Sequence, residues 1–312
     1  MTRYLFILRR AGQALVVLLV ILIAVFLMLK FVPGDPARQV AGPRASEETV
    51  ATVREALGLD QPLPVQFGLY LERLVHGDLG ATINSGVPVV DLIANAAPVT
   101  FSVVALAVAI TVLIASGLTG LSTRRPGSTT DRATQFLATV GVGVPSFLMG
   151  ILLLMLFAVV LGWFPVGGWS RDPLGQLQSA FLPALTLALA VAPVLYASMR
   201  SAILGVRRMD YVDAARSVGL RGWSLSRHFE FRNAAIPPVA LLTSMASIML
   251  SGAVVVEATF GLPGLGLALV EGARMRDFNV VQGLTLVFAL AVLCINVLGD
   301  VLLVVLDPRV DL

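Results

Sequence analysis

Lysine is almost missing from this 312-residue chain: Lys30 stands alone among 22 basic residues, the rest being arginine. A phosphate-cradling P-loop reads Gly-x-x-x-x-Gly-Lys-Ser/Thr, with the lysine reaching the β- and γ-phosphates. Phe31 follows Lys30, so that motif is excluded. Nucleotide hydrolysis that drives this protein therefore has to reside on another chain. Schiff-base chemistry on an accessible lysine is excluded with it. Cysteine is reduced to Cys294, inside an apolar run, which rules out an internal disulfide and a cysteine-based metal cluster. The two histidines, His76 and His228, fall on opposite sides of the topology derived below, so they cannot share a metal ion. There is no His-Glu-x-x-His, and Ser146 has no membrane-embedded histidine to act as its base. Neither a catalytic site nor a metal or cofactor held by this chain is expected.

Charge is scarce as well. Charged residues fill 13% of positions and apolar residues 57%, against about 25% and about 45–50% in soluble domains. Mean hydropathy is +0.89. The chain reads as an all-α integral membrane protein. A helix needs about 20 mostly apolar residues to cross the hydrocarbon core, and six stretches qualify: Ala11–Val32, Val99–Leu121, Ala133–Leu161, Phe181–Leu204, Ile236–Thr259 and Val280–Leu306. Helix is expected for each, because backbone groups in lipid must find partners within the segment. Small residues recur in them (Gly141, Gly143, Gly150, Ala188, Ala190, Ala192), which suits close helix packing. Pro145 and Pro193 are expected to kink their helices. The first stretch is too long for a signal-peptide core and no small-x-small site follows Leu29, so a retained span is expected.

Orientation comes from the arginines. Arg3, Arg9 and Arg10 precede the first span, and Arg124, Arg125 and Arg132 lie between the second and third. Arg207, Arg208, Arg216, Arg221, Arg227 and Arg232 crowd the loop between the fourth and fifth. Residues 33–98 instead carry four arginines against eight carboxylates, a net of −4. The positive-inside rule then places both termini in the cytoplasm and residues 33–98 outside. The net charge of +3 is topology by this reading and not a nucleic-acid footprint. The expected order is a cytoplasmic N-terminus (1–10), a first span (11–32), an extracytoplasmic segment (33–98), a five-span core (99–306) with a cytoplasmic loop at 205–235, and a cytoplasmic tail (307–312).

In the outer segment, Ser46 is placed to cap a helix with Val50, Val53 and Leu57 on one face and Gly58 at its end. Pro64 opens a second, with Phe67, Tyr70, Leu71 and Leu74 as its apolar side and Gly77 as a stop. Two short amphipathic helices near the membrane surface are expected. They fit a cover for the outer mouth and a platform for a solute-binding protein equally well.

The cytoplasmic loop is the most informative segment. Tyr211, Ala214, Ala215 and Val218 fall at i, i+3, i+4 and i+7, one face of a helix. Asp210 suits the N-cap, Asp213 three residues later approximates a capping box, and Gly219 is placed to end the helix in a left-handed conformation. Small alanines let such a helix lie deep in a partner's groove, and Arg216 and Arg221 can pair with carboxylates at its rim. A basic inner loop held against anionic lipid has the same composition, and both readings stand at this level.

Charges at membrane depth are functional candidates by default. Arg200 and Asp300 share a depth near the inner face and have opposite sign, so a pair tying the fourth and sixth spans is one expectation. A snorkelling Arg200 with Asp300 capping a helix contact is the other.

Motifs then recur in a fixed order. They are Pro33-Gly-Asp-Pro-Ala37, Leu57-Gly-Leu-Asp-Gln-Pro62, Gly77-Asp-Leu-Gly80, Val144-Pro-Ser-Phe147, Leu161-Gly-Trp-Phe-Pro165, Leu182-Pro-Ala-Leu-Thr186 and Asp210-Tyr-Val. Glu257-Ala-Thr-Phe-Gly-Leu-Pro-Gly-Leu-Gly266 and Leu306-Asp-Pro-Arg309 complete the series. Nearly end to end, the chain resembles the first membrane subunit of dipeptide/oligopeptide ABC importers, a family that includes nickel and glutathione transporters. Asp213-Ala-Ala-x-x-x-Gly219 resembles its EAA loop, with Asp where Glu is usual. The resemblance implies a type I importer fold in a bacterial inner membrane and alternating access driven by ATP and Mg on partner subunits. It also implies a homologous second permease, two ATP-binding subunits and an extracytoplasmic solute-binding protein, with membrane lipid around the spans. The ATPase-docking set it implies is Asp210, Tyr211, Asp213, Ala214, Ala215, Arg216, Val218, Gly219, Leu220 and Arg221. Peptide import is the leading expectation; nickel chelates, glutathione or another small solute are alternatives. An ion-coupled secondary transporter is a further one, but it needs midplane carboxylates and an inverted repeat.

Overall fold

A backbone in lipid must answer its own hydrogen bonds, and this one does so almost wholly as helix. The computed structural model describes residues 2–31, 35–42, 44–56, 58–83, 85–220, 225 and 232–306. In chain order the helices are α1 (Thr2–Phe31), α2 (Pro36–Ala41), α3 (Glu47–Ala56), α4 (Leu63–Val75), α5 (Val89–Arg124), α6 (Thr129–Gly143) and α7 (Ser146–Leu153). They continue with α8 (Pro173–Val206), α9 (Asp210–Ser217), α10 (Ile236–Phe260), α11 (Leu265–Met275) and α12 (Phe278–Leu306). Among the described residues, the only strand-like pairing is one isolated bridge between Ala81 and Pro88. Four helices among the described residues are long and apolar enough to cross a membrane: α5, α8, α10 and α12. Counting α6 and α7 together adds a fifth, and α1 contains a shorter apolar run at Gly12–Leu27.

The chain divides into two compact units, residues 1–97 with 268–291, and residues 98–267 with 292–312. In the first, α4 turns its apolar side onto protein. Tyr70, with Phe67, Leu71 and Leu74, packs on Leu22 and Phe26 of α1 and on Leu286 of α12. The Phe26 and Phe67 rings meet edge to face at 5.4 Å, a favoured aromatic geometry. The amphipathic face expected from the sequence is therefore used against α1. Ser46 does cap α3, its Oγ accepting the Thr49 N–H at 3.2 Å. Asp277 and Asn279 hold the loop around the Ala81–Pro88 bridge: Asp277 accepts the Ile83 N–H at 2.7 Å, and Asn279 donates to the Ala81 carbonyl at 2.9 Å.

The second unit is organised around α8, two-thirds (67%) of whose apolar window is buried, more than in the other three long helices. Leu182, Leu187, Ala188, Ala192, Leu195 and Tyr196 line its interior face. Two glycines let α6 and α7 approach: a Cβ on Gly141 would sit 3.0 Å from Pro193 Cγ, and one on Gly150 3.2 Å from Thr186 Cγ2. Pro183 and Pro193 lie within α8, which runs on past both. Pro145 has the larger effect. Lacking an N–H and pushing Val144 into extended backbone (φ −91°, ψ 120°), it breaks the third apolar stretch where a kink is expected. The axis turns by 103° between α6 and the segment Ser146–Val160, whose last turns, Leu154–Val160, are wound as π-helix.

Candidate functional site

The segment that follows α8 folds as the periodicity demands, but with its faces reassigned. Helix α9 begins at Asp210 with Met209 as its N-cap, and no side chain caps it. The expected capping box is thus not formed. Asp210 and Asp213 instead occupy the first turn, where negative charge faces the positive end of the helix. Asp213 Oδ1 accepts from Arg216 Nη1 at 2.9 Å on the open surface. The far end closes as a Schellman motif: the Leu220 N–H donates to the Ala215 carbonyl at 3.2 Å and the Gly219 N–H to the Arg216 carbonyl at 3.0 Å. Gly219 has φ +92°, the left-handed conformation that such an end requires.

Which side faces inward decides what α9 can do. Val212 and Ala215 are buried, packed with Ile203 and Val206 of α8, with Leu225 and Ala234, and with Leu220 alongside. The sequence had grouped Ala215 with Tyr211, Ala214 and Val218; the structure moves it to the anchoring face together with Val212. The other three form an open strip. Val218 is 78% exposed and Tyr211 38% exposed, Ala214 lies between them, and the Asp213–Arg216 pair is exposed on a different part of the helix surface. An open apolar strip on a helix anchored from behind has the chemistry used by helices that lie in a partner's groove. Arg221 lies outside the described residues, as do Arg227 and His228.

Arg200 finds its ion-pair partner on α6. Its Nε and Nη2 donate to the two carboxylate oxygens of Asp131 at 2.9 and 2.8 Å, a two-point contact. This corrects the pairing with Asp300 expected from depth and sign. Asp131 is only 1% exposed and gathers donors from three directions. Ser122 Oγ of α5 bonds its Oδ1, the Gly127 N–H reaches Oδ2 at 2.8 Å, and Gln135 Nε2 reaches Oδ1 at 2.9 Å. The Tyr196 hydroxyl joins Ser122 at 3.1 Å and Thr134 at 3.0 Å. Sequence reasoning missed Asp131. The available signal was a lone carboxylate among Arg124, Arg125 and Arg132.

A third polar centre lies where α10 ends. Glu257 is fully buried, and its Oε2 accepts the N–H groups of Gly266 and Leu267 at 2.7 and 3.3 Å, in the first turn of α11. The Leu265 N–H goes to Thr100 Oγ1 at 2.8 Å. Among the described residues, no group of three or more His, Cys, Asp or Glu side chains is placed to hold a metal ion.

Comparison with known proteins agrees with this architecture. Residues 108–312 match the family described as binding-protein-dependent transport system inner membrane component, and residues 1–104 match the N-terminal family of such membrane components. The chain is 42% identical over 307 residues to a protein of Brucella abortus named as a peptide transport system permease, covering 97% of this chain and 98% of that one. It is 37% identical over 308 residues to the glutathione transport system permease protein GsiC of Salmonella choleraesuis, covering 98% of each. Among solved structures, the MetNI methionine ABC transporter in inward-facing form aligns with a TM-score of 0.59 at 16% identity, over 69% of this chain and 96% of that one. An amino acid ABC transporter crystallised with histidines aligns at 0.53 and 18%, over 71% and 95%. At such identities these two likenesses speak to fold alone.

Proposed function

Because the chain belongs to the family of binding-protein-dependent transport system inner membrane components, and is thus a permease subunit of an ABC importer in the inner membrane, we propose that α9 is the element its ATPase grips and that short peptides are its cargo. The observation that carries the docking role is the open strip Tyr211–Ala214–Val218 on a helix held from behind by Val212 and Ala215. Closure of ATP-loaded partners pushes this helix, and the push reaches the spans because α9 is packed onto the last turns of α8.

The reading extends to the assembly. The chain spans the membrane six times with both termini in the cytoplasm. Its core spans pair with those of a homologous second permease, and two ATP-binding subunits work beneath the pair. The segment 33–98 faces the solute-binding protein outside. This chain contributes a path and a lever and performs no chemistry; ATP and Mg stay on the partners.

Peptide cargo is supported by the 42% identical Brucella relative. The relation to GsiC supports glutathione, itself a tripeptide, as a second reading. Family membership overrides the ion-coupled alternative. The test is uptake by the reconstituted transporter in proteoliposomes, with labelled tri-alanine and labelled glutathione offered in parallel. Vanadate-sensitive uptake of tri-alanine supports the proposal. Uptake of glutathione alone moves the cargo to the second reading. Uptake by the permease with no ATPase present overturns both.

A further inference from the structure

The proposed lever needs a fulcrum, and the geometry of the second unit points to one. We infer that Asp131 and Arg200 are the positioning pair that locks the α8–α9 block to α5 and α6, so that displacement of α9 carries those two helices with it. This rests on the reading of α9 as the docking element and names what that element moves.

The path is continuous in packed contacts. Val212 and Ala215 of α9 sit on Ile203 and Val206, within two turns of Arg200 on the same helix. From Arg200 both guanidinium nitrogens that face α6 are committed to Asp131, and Nε also reaches Ser122 Oγ at 2.9 Å. Arg207, one residue beyond the end of α8, donates through Nη1 to the Thr123 carbonyl of α5. Asp131 in turn holds the end of α5 through Ser122, the connecting turn through Gly127, and the next turn of its own helix through Gln135. Apolar contacts permit sliding. A two-point ion pair, buried on the carboxylate side and cross-braced by Tyr196 and Thr134, fixes both distance and angle. Arginine is the residue for this, since its planar fork matches a carboxylate and lysine's point charge does not. A merely stabilising contact does not require that α5, α6 and α8 all meet at one carboxylate, within two turns of α8 from the residues that seat α9.

The test uses the whole transporter, co-expressed with its partner subunits and reconstituted with its binding protein. In Arg200→Gln and in Asp131→Asn, ATPase co-purifies in wild-type amount and ATP hydrolysis continues. Tri-alanine moved per ATP hydrolysed falls about tenfold, within the range of coupling losses seen along such paths. The double variant falls no further than either single, because both residues act through one contact. A second readout is independent of cargo. Spin labels at Val140→Cys on α6 and Arg208→Cys beyond α8, in a Cys294→Ser background, report one distance in nucleotide-free and vanadate-trapped wild type. In Arg200→Gln the two states give different distances. Where the charge variants do not accumulate, Tyr196→Phe, which removes one brace and keeps the ring, shows the same divergence at smaller amplitude. The inference is overturned if the label distance stays common to both states in Arg200→Gln or Tyr196→Phe, or if the two single losses add in the double. Failure of the docking role shows elsewhere, as ATPase retained by variants of the exposed strip on α9.

Discussion

The Glu257 carboxylate accepts the backbone N–H of Gly266 at 2.7 Å, across the turn that joins α10 to α11. The same oxygen receives the Leu267 N–H, so one buried side-chain oxygen answers two donors at the start of a helix. The approach is close because Gly266 has no side chain: a Cβ there would press on the Val254 backbone and come within 2.9 Å of Glu257 Oε2. Gly266→Ala is therefore expected to destabilise the permease by about 1–3 kcal/mol, the ordinary penalty of overpacking. Glu257→Ala is expected to leave both amides unanswered, at about 1–3 kcal/mol. Glu257→Gln keeps an acceptor oxygen and is expected to fall between Glu257→Ala and wild type. Thermal unfolding of the purified protein in one detergent ranks the three.

At the end of α9, backbone conformation and not space limits what position 219 accepts. Gly219 lies at φ +92°, and a Cβ built there meets no atom within 4 Å. Gly219→Asn, which tolerates the left-handed region, is expected to retain most ATPase association and uptake. Gly219→Val is expected to lose both, because a β-branched residue there carries about 1–2 kcal/mol of strain and opens the Schellman bonds. Co-purification of the ATPase with each variant is the measurement; equal retention in both refutes the argument.

The two faces of α9 make opposite predictions. Val218→Asp places charge on an open strip, so stability is expected to stay within about 0.5 kcal/mol of wild type while ATPase binding is lost. Val212→Ala removes buried methyls against Ile203 and Val206, and stability is expected to fall by about 1–3 kcal/mol. Parallel melting and pull-down measurements separate the two. Loss of stability in Val218→Asp would place that side chain on the buried face.

What the sequence reveals here depends on how local the determining contact is. The apolar face of α4 was legible to the residue, since Phe67, Tyr70, Leu71 and Leu74 are the only large apolar row at helical spacing and all four pack together. In α9 the same rule was ambiguous. Ala215 belongs to a helical stripe with Tyr211 and also to one with Val212, and only its neighbours Ile203 and Val206 decide between them. The Arg200 pairing failed for a different reason. Depth and sign suit Asp300 as well as Asp131, while Asp131 and Arg200 are separated by 69 positions in the sequence and no local pattern states that they meet. At Pro145 the presence of a break was readable but its 103° was not, because proline removes a bond and packing sets the angle.

Tyr70 supplies a test in which deleting a polar group is expected to help. Its ring is anchored between Phe26 and Phe67, with centroids at 6.1 and 6.2 Å, so the hydroxyl is carried into an apolar cluster. There the oxygen is buried and makes no hydrogen bond of normal geometry; the nearby Gln282 Nε2 is in the same position. Burial pushes the phenol above its ordinary range, so the group stays neutral at any working pH. A buried hydroxyl without a partner opposes folding by about 1–3 kcal/mol, whereas an isosteric apolar replacement keeps the ring contacts. Tyr70→Phe is accordingly expected to melt at or above the wild-type temperature, with α4 still seated on α1. Tyr70→Ala, which removes the ring as well, is expected to lose about 3–5 kcal/mol, the usual range for deleting a buried aromatic. Melting curves of the two variants under one condition decide the matter: a clear drop for Tyr70→Phe would mean that the hydroxyl bonds in solution, with Gln282 as the partner to mutate next.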